Sequence, residues 1–163
     1  MRLSSKNSGF TLIELLVVID IIGLLSTLAV VSLNNARQKS RDAKRVSDIK
    51  QVQTSLELYY ADKNGYPVSG VALTLGGASA KLLSGGGFTA VGGGSGTTYM
   101  GQVPANPTPA LEGSENYSYI SRDAAGAACA VAPCAGYTID FGLEGSAGQL
   151  VGGTHVASPN GIQ

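Results

Sequence analysis

The sequence predicts an α+β fold in which a long N-terminal α-helix, its apolar half projecting, packs through its second half against a small antiparallel β-sheet. Three observations predict it. Residues Phe10 to Leu33 form an apolar run of 24 positions in which Glu14 and Asp20 are the only charges. No proline or glycine falls between Leu24 and Asn64, so nothing breaks a helix that begins in that run. Segments with strand alternation, Tyr117-Ser-Tyr119-Ile120 and Tyr137-Thr-Ile139-Asp-Phe141, occur only late in the chain. A length of 163 residues suits one ordinary domain, and a formal net charge of zero points neither towards nor away from nucleic acid.

The first nine residues are short, polar and basic through Arg2 and Lys6. The apolar run behind them would extend roughly 36 Å as a helix, enough to cross a hydrocarbon core of ~30 Å. A secretory signal would instead show a shorter apolar region closed by small residues. Here the small residue at the polarity change is Gly9, ahead of the apolar run. This order predicts a leader, residues 1–9, that is removed while the hydrophobic segment, residues 10–33, stays with the mature chain.

Gly9-Phe10-Thr11-Leu12-Ile13-Glu14, followed by Leu-Leu-Val-Val-Ile, resembles the processing motif of type IV pilins and type II secretion pseudopilins. The resemblance implies cleavage between Gly9 and Phe10 by a membrane-embedded prepilin peptidase, with methylation of the new Phe10 amine. It also implies that Glu14 meets the N-terminal amine of a neighbouring subunit, neutralising both charges and setting the axial register. Physical chemistry alone asks for something similar, because a carboxylate within a membrane span costs about 2.5–3.5 kcal/mol on insertion scales unless paired or protonated. Two positions depart from the family pattern. Asp20 stands where a small apolar residue is usual, and lies on a different helix face from Glu14. It reads either as a protonated group bonded to a backbone carbonyl or tolerated in the filament core, or as a second assembly contact, for instance with a basic residue of another helix. Val31 stands where many relatives carry a proline, so a local break in the helix is not expected here.

Residues 34–63 continue the helix as an amphipathic segment. Val46, Ile49, Val52, Leu56 and Tyr59 or Tyr60 recur at steps of three and four and mark the buried face. Between Arg37 and Lys50 lie six basic and two acidic residues, interleaved and without aromatic stacking partners. A solvated face or a phospholipid contact suits that pattern better than DNA. Six basic residues after the span against two before it favour an N-terminus-out orientation. The processing motif requires the reverse and is the more specific signal.

Residues 64–163 form the expected Gly-rich globular domain. Asn64-Gly65-Tyr66-Pro67 ends the helix, with Gly65 as the left-handed cap. Tyr-Pro at this point extends the family resemblance, as does Val103-Pro104-Ala-Asn-Pro107, a loop that precedes the sheet in pseudopilins. Ala78 to Leu83 suggests a short helix, 85–96 a flexible surface loop, and Thr98 to Val103 a further strand, for a sheet of three or four. Cys129 and Cys134, close together in an exported chain, suggest a disulfide. His155 is expected to be exposed. Asp140 and Glu144 lie near where secretion pseudopilins bind calcium but do not match a calcium loop, and remain weak metal candidates. Asn116-Tyr-Ser118 fits a glycosylation sequon.

No catalytic constellation is visible and no cofactor is expected. The resemblance implies a structural pilin that is first a single-pass precursor in the inner (cytoplasmic) membrane with its N-terminus cytoplasmic. It then joins an extracellular homopolymer, served by the peptidase and an inner-membrane assembly platform. The alternatives are a type II secretion pseudopilin, or a minor pilin for DNA uptake or adhesion.

Overall fold

The computed structural model describes residues 9–163. The rest of the expected leader, with Arg2 and Lys6, lies outside the described residues. Helix α1 spans Leu12–Lys63, 52 residues. Its start is set by a capping box. Thr11 Oγ1 accepts the Glu14 N–H at 3.3 Å, while Glu14 Oε2 accepts the Thr11 N–H at 2.8 Å and the Thr11 hydroxyl at 2.6 Å. Its end differs from the sequence expectation. Asn64, not Gly65, takes the left-handed conformation, at φ 53°, and its N–H bonds the Tyr60 carbonyl at 2.8 Å. Gly65 is needed for a different reason: a Cβ there would sit 3.0 Å from the Pro133 Cβ. The chain comes this close because Tyr66 N–H bonds the Cys134 carbonyl at 3.0 Å.

The chain divides into two compact units, Met1–Arg37 and Gln38–Gln163. In the first, every described residue is exposed. The most apolar 18 residues of the helix have a mean hydropathy of 2.5 with none buried, and the helix is long and apolar enough to cross a membrane.

The second unit packs the later turns of α1 on two antiparallel sheets. The strands are β1 (Leu73–Thr74), β2 (Leu82–Ser84), β3 (Gly87–Thr89), β4 (Thr98–Met100), β5 (Ser118–Arg122), β6 (Gly136–Leu143), β7 (Gly153–Ser158) and β8 (Gly161–Ile162). The larger sheet has five strands in the order β1-β5-β6-β7-β8, and the smaller has three in the order β3-β2-β4. Register pairs Tyr119 with Ile139, Phe141 with His155, and Ile139 with Ala157. Alternation then buries Tyr137, Ile139 and Phe141 of β6 on one face. Against that face lie Ile49, Val52 and Leu56 of α1, all with no exposed surface. Each such side chain contributes about 1.5–3 kcal/mol by leaving water. Tyr59, not Tyr60, packs against this core.

The α+β class stands, with corrections of detail. Ala78 to Leu83 is no helix; its end forms β2, with Leu83 fully buried. The Gly-rich stretch from residue 85 holds β3, and Phe88 packs edge-on to Tyr119 with ring centroids 4.9 Å apart. The third strand is shorter than expected and belongs to the small sheet. His155 is buried on β7, its Nε2 2.8 Å from the Val151 carbonyl and its Nδ1 3.1 Å from the Gln163 carbonyl.

Candidate functional site

Two groups of residues are candidates, one in each unit. In the first, Gly9 is exposed, Phe10 is 77% exposed, and the capping box engages the Glu14 carboxylate locally. Asp20 lies 6 residues on, on a different face of the exposed helix. Glu14 and Asp20 are therefore not brought together. The Thr27 hydroxyl bonds back to the Leu24 carbonyl at 2.8 Å, which satisfies a polar side chain inside the apolar run.

In the second unit the charges of α1 do not merely face water, contrary to the sequence expectation. Asp42 and Arg45 have no exposed surface. Arg45 donates from Nε to Asn106 Oδ1 at 2.9 Å, and from Nη1 to Asp42 Oδ1 at 2.6 Å and Glu144 Oε1 at 2.8 Å. Its Nη2 donates to the Pro107 carbonyl at 3.0 Å and to the Pro109 carbonyl. The guanidinium carries five N–H groups, so every donor has an acceptor. Asp42 in turn accepts the backbone N–H of Glu144 at 3.0 Å and of Gly145 at 2.8 Å. Arg41 grips Glu144 with both Nε and Nη2, at 2.7 and 2.5 Å. These partners hold the Glu144 carboxyl at about 2, well below its ordinary 4.5, with the Arg41 hydrogen bond as the main cause.

This clasp ties two loops, 106–109 and 144–145, to one turn and a half of helix. Of the two weak cation candidates, Glu144 is engaged by two arginines and Asp140 is exposed on β6. No group of three or more His, Cys, Asp or Glu suited to a metal occurs among the described residues. Asp48, next along the helix, accepts the Tyr117 hydroxyl at 3.3 Å, and its burial raises its pKa.

The disulfide joins Cys129 to Cys134 between β5 and β6. It holds the loop whose Cys134 carbonyl receives the Tyr66 N–H, so the cross-link lies against the end of α1.

The clasp was not foreseen, although a signal for it exists. Asp42 and Arg45 fall on the same phase as Ile49, Val52 and Leu56, at steps of three and four. Charged residues on an apolar phase are buried or break the pattern, and here they are buried as a pair.

Residues 4–30 match a family described as the prokaryotic N-terminal methylation motif. The chain is 41% identical over 73 residues to the type II secretion system core protein G of Escherichia coli (strain K12), covering 45% of this chain and 50% of that protein. It is 42% identical over 64 residues to the protein of the same name from Aeromonas hydrophila, covering 39% and 45%. With the type IV major pilin protein PilA of Myxococcus xanthus it shares 31% identity over 65 residues, covering 40% and 30%. The chain thus spans about half or less of the length of the curated relatives it matches. No solved structure matches it.

Proposed function

We propose, proceeding from an N-terminal segment that belongs to the type IV pilin and type II secretion pseudopilin family, that this chain is a structural subunit of an extracytoplasmic filament. The observation that carries the reading is the first unit itself. It joins a methylation motif to a helical segment whose most apolar 18 residues have a mean hydropathy of 2.5 and none buried. Such a surface is stable only in lipid or against other apolar helices. The subunit therefore begins as a membrane-anchored precursor and ends in a bundle of its own kind.

In this reading a prepilin peptidase cuts between Gly9 and Phe10, and the freed Phe10 amine is methylated. Both residues are exposed, which suits access by an enzyme. Glu14 follows Phe10 by four residues and Phe10 directly precedes the Thr11 cap, so the cationic amine and the carboxylate lie at the same end of the helix. Pairing between copies neutralises both as the helices leave lipid, while Thr11 holds the carboxylate until a partner arrives. Asp20 is the second polar contact of the helix bundle. The assembly platform and the membrane are the partners of the precursor.

Within this class the relatives favour a secretion pseudopilin over a long adhesive or motility pilus. The identity to core protein G reaches 41% over 73 residues, against 31% over 65 for the type IV pilin. Intact mass of the mature protein tests the processing: it should lack Met1–Gly9 and carry one added methyl group. An uncleaved chain sinks the filament reading. Negative-stain microscopy of sheared cells then separates the two filaments, short structures supporting the pseudopilin and long flexible fibres the pilus.

A further inference from the structure

In the second unit, α1 borders a groove of about 730 Å³ between its own flank, residues 146–150 and β8. Lys39 and Lys50 stand along the helix wall, and Val46, Ala147, Leu150 and Ile162 supply the apolar lining. No acidic side chain lines it. The two lysines are 11 residues apart, roughly 16 Å along the axis. At 100° per residue they lie on the side of α1 that faces β7, where Gln53 donates to the Ser158 carbonyl at 2.9 Å.

The other flank of the same helix turns carries a turn with two carboxylates. There Asn106, held by Arg45, donates to the Ser114 and Glu115 carbonyls at 3.0 and 3.1 Å, and Tyr117 reaches Asp48. These bonds fix a tight turn closed by the Leu111–Ser114 bridge, with Glu112 and Glu115 exposed and Leu111 half-buried. The internal ion pairs join Arg41, Arg45, Asp42 and Glu144 only, so Lys39, Lys50, Glu112 and Glu115 have no ionic partner among the described residues.

We propose that the groove receives the acidic turn around Glu112 of a second copy of this chain. The match is one of charge: a cationic apolar groove on one flank, an exposed acidic turn with a half-buried leucine on the other. Groove and turn lie on opposite flanks of the helix, so a single two-fold interface cannot bring both into contact. Only a head-to-tail contact pairs groove with turn, and such a contact leaves a free groove and a free turn to propagate. The filament reading supplies the choice of a second copy as occupant, and the contact adds a side-by-side interface between the second units to the bundling of the apolar helices.

The test uses the full-length precursor in the cells that make it. Lys50→Cys and Glu112→Cys in one chain, under mild oxidation, should give a ladder of cross-linked multimers on a non-reducing gel, with neither single variant doing so. Lys39→Glu with Lys50→Glu should lower the pelleted polymer by about tenfold, and adding Glu112→Lys with Glu115→Lys should restore it. Filaments without a ladder overturn the proposal and leave the filament reading standing. A ladder without filaments does the opposite, and absence of both removes both. A cross-link to a different protein also overturns it, because the occupant is then not a second copy.

Discussion

At the scale of single residues, Arg45 shows why a buried ion is tolerated. Its five donors meet Asn106, Asp42, Glu144 and the carbonyls of Pro107 and Pro109, so no N–H is left without a partner. Replacing it by alanine strands Asp42 without exposed surface and without a counter-ion. Arg45→Ala should cost about 3–5 kcal/mol in denaturant unfolding of the processed chain. Arg45→Lys should recover only part of this, since an ammonium has three donors and no fork. A loss below about 1 kcal/mol for the alanine variant would show that the clasp is not a stabilising element.

The two acidic groups nearby respond to pH with opposite sign. Glu144 is held at about 2, below its ordinary 4.5, so its stabilising contribution is complete above about 4.5 and fades as pH falls towards 2. Asp48 is shifted upwards by burial, so its ionised form disfavours the fold and the penalty sets in as pH rises. Melting temperatures across the acid range should therefore fall less steeply for Glu144→Gln than for the parent. Asp48→Asn should melt higher than the parent at neutral pH, because the amide keeps an acceptor for Tyr117 without the buried charge. Parallel acid profiles for parent and Glu144→Gln would contradict the assignment.

At the scale of elements, α1 is two helices in one. Its first turns have no buried residue, while its later turns bury Asp42, Arg45, Ile49, Val52 and Leu56 along a single phase. Leu56→Ala removes a fully buried side chain beneath the sheet and should cost about 2–5 kcal/mol, read from the shift in denaturation midpoint. Leu58→Ala, at a position 55% exposed, is the matched control and should change stability by less than about 0.5 kcal/mol. The spacing of Val46, Ile49, Val52 and Leu56 was legible because helical periodicity is local. The small sheet was not. Leu82–Ser84 and Gly87–Thr89 become strands by pairing with each other and with Thr98–Met100, and that pairing has no local signature in a Gly-rich stretch.

At the scale of the whole molecule, the first unit carries the exposed apolar helix and the second the folded surface. The capping box provides a way to separate the proposed assembly role of Glu14 from its capping of the helix. Thr11→Val removes the two hydroxyl bonds of the capping box but keeps the carboxylate and the bond it accepts from the residue 11 N–H, whereas Glu14→Ala removes the carboxylate itself. Both variants should insert and be processed, with Glu14→Ala losing most sheared filament and Thr11→Val retaining most of it. Equal losses would mean that Glu14 acts by capping the helix, and normal filaments from Glu14→Ala would remove its assembly role altogether.

What the sequence determined by itself is what depends on neighbours along the chain: the methylation motif, the apolar run, the uninterrupted helix and its buried stripe. Each is written in residue order or in a period of 3.6, and needs no knowledge of distant contacts. The tertiary structure decided what depends on residues far apart. Arg45 and Glu144, 99 positions distant, became partners, and His155 was drawn inside between Val151 and Gln163. The left-handed cap fell to Asn64 while Gly65 was taken by the approach of Pro133. In each case the cause is the same: burial makes an unpaired charge or a misplaced methyl group costly, and only the folded chain determines which groups are buried.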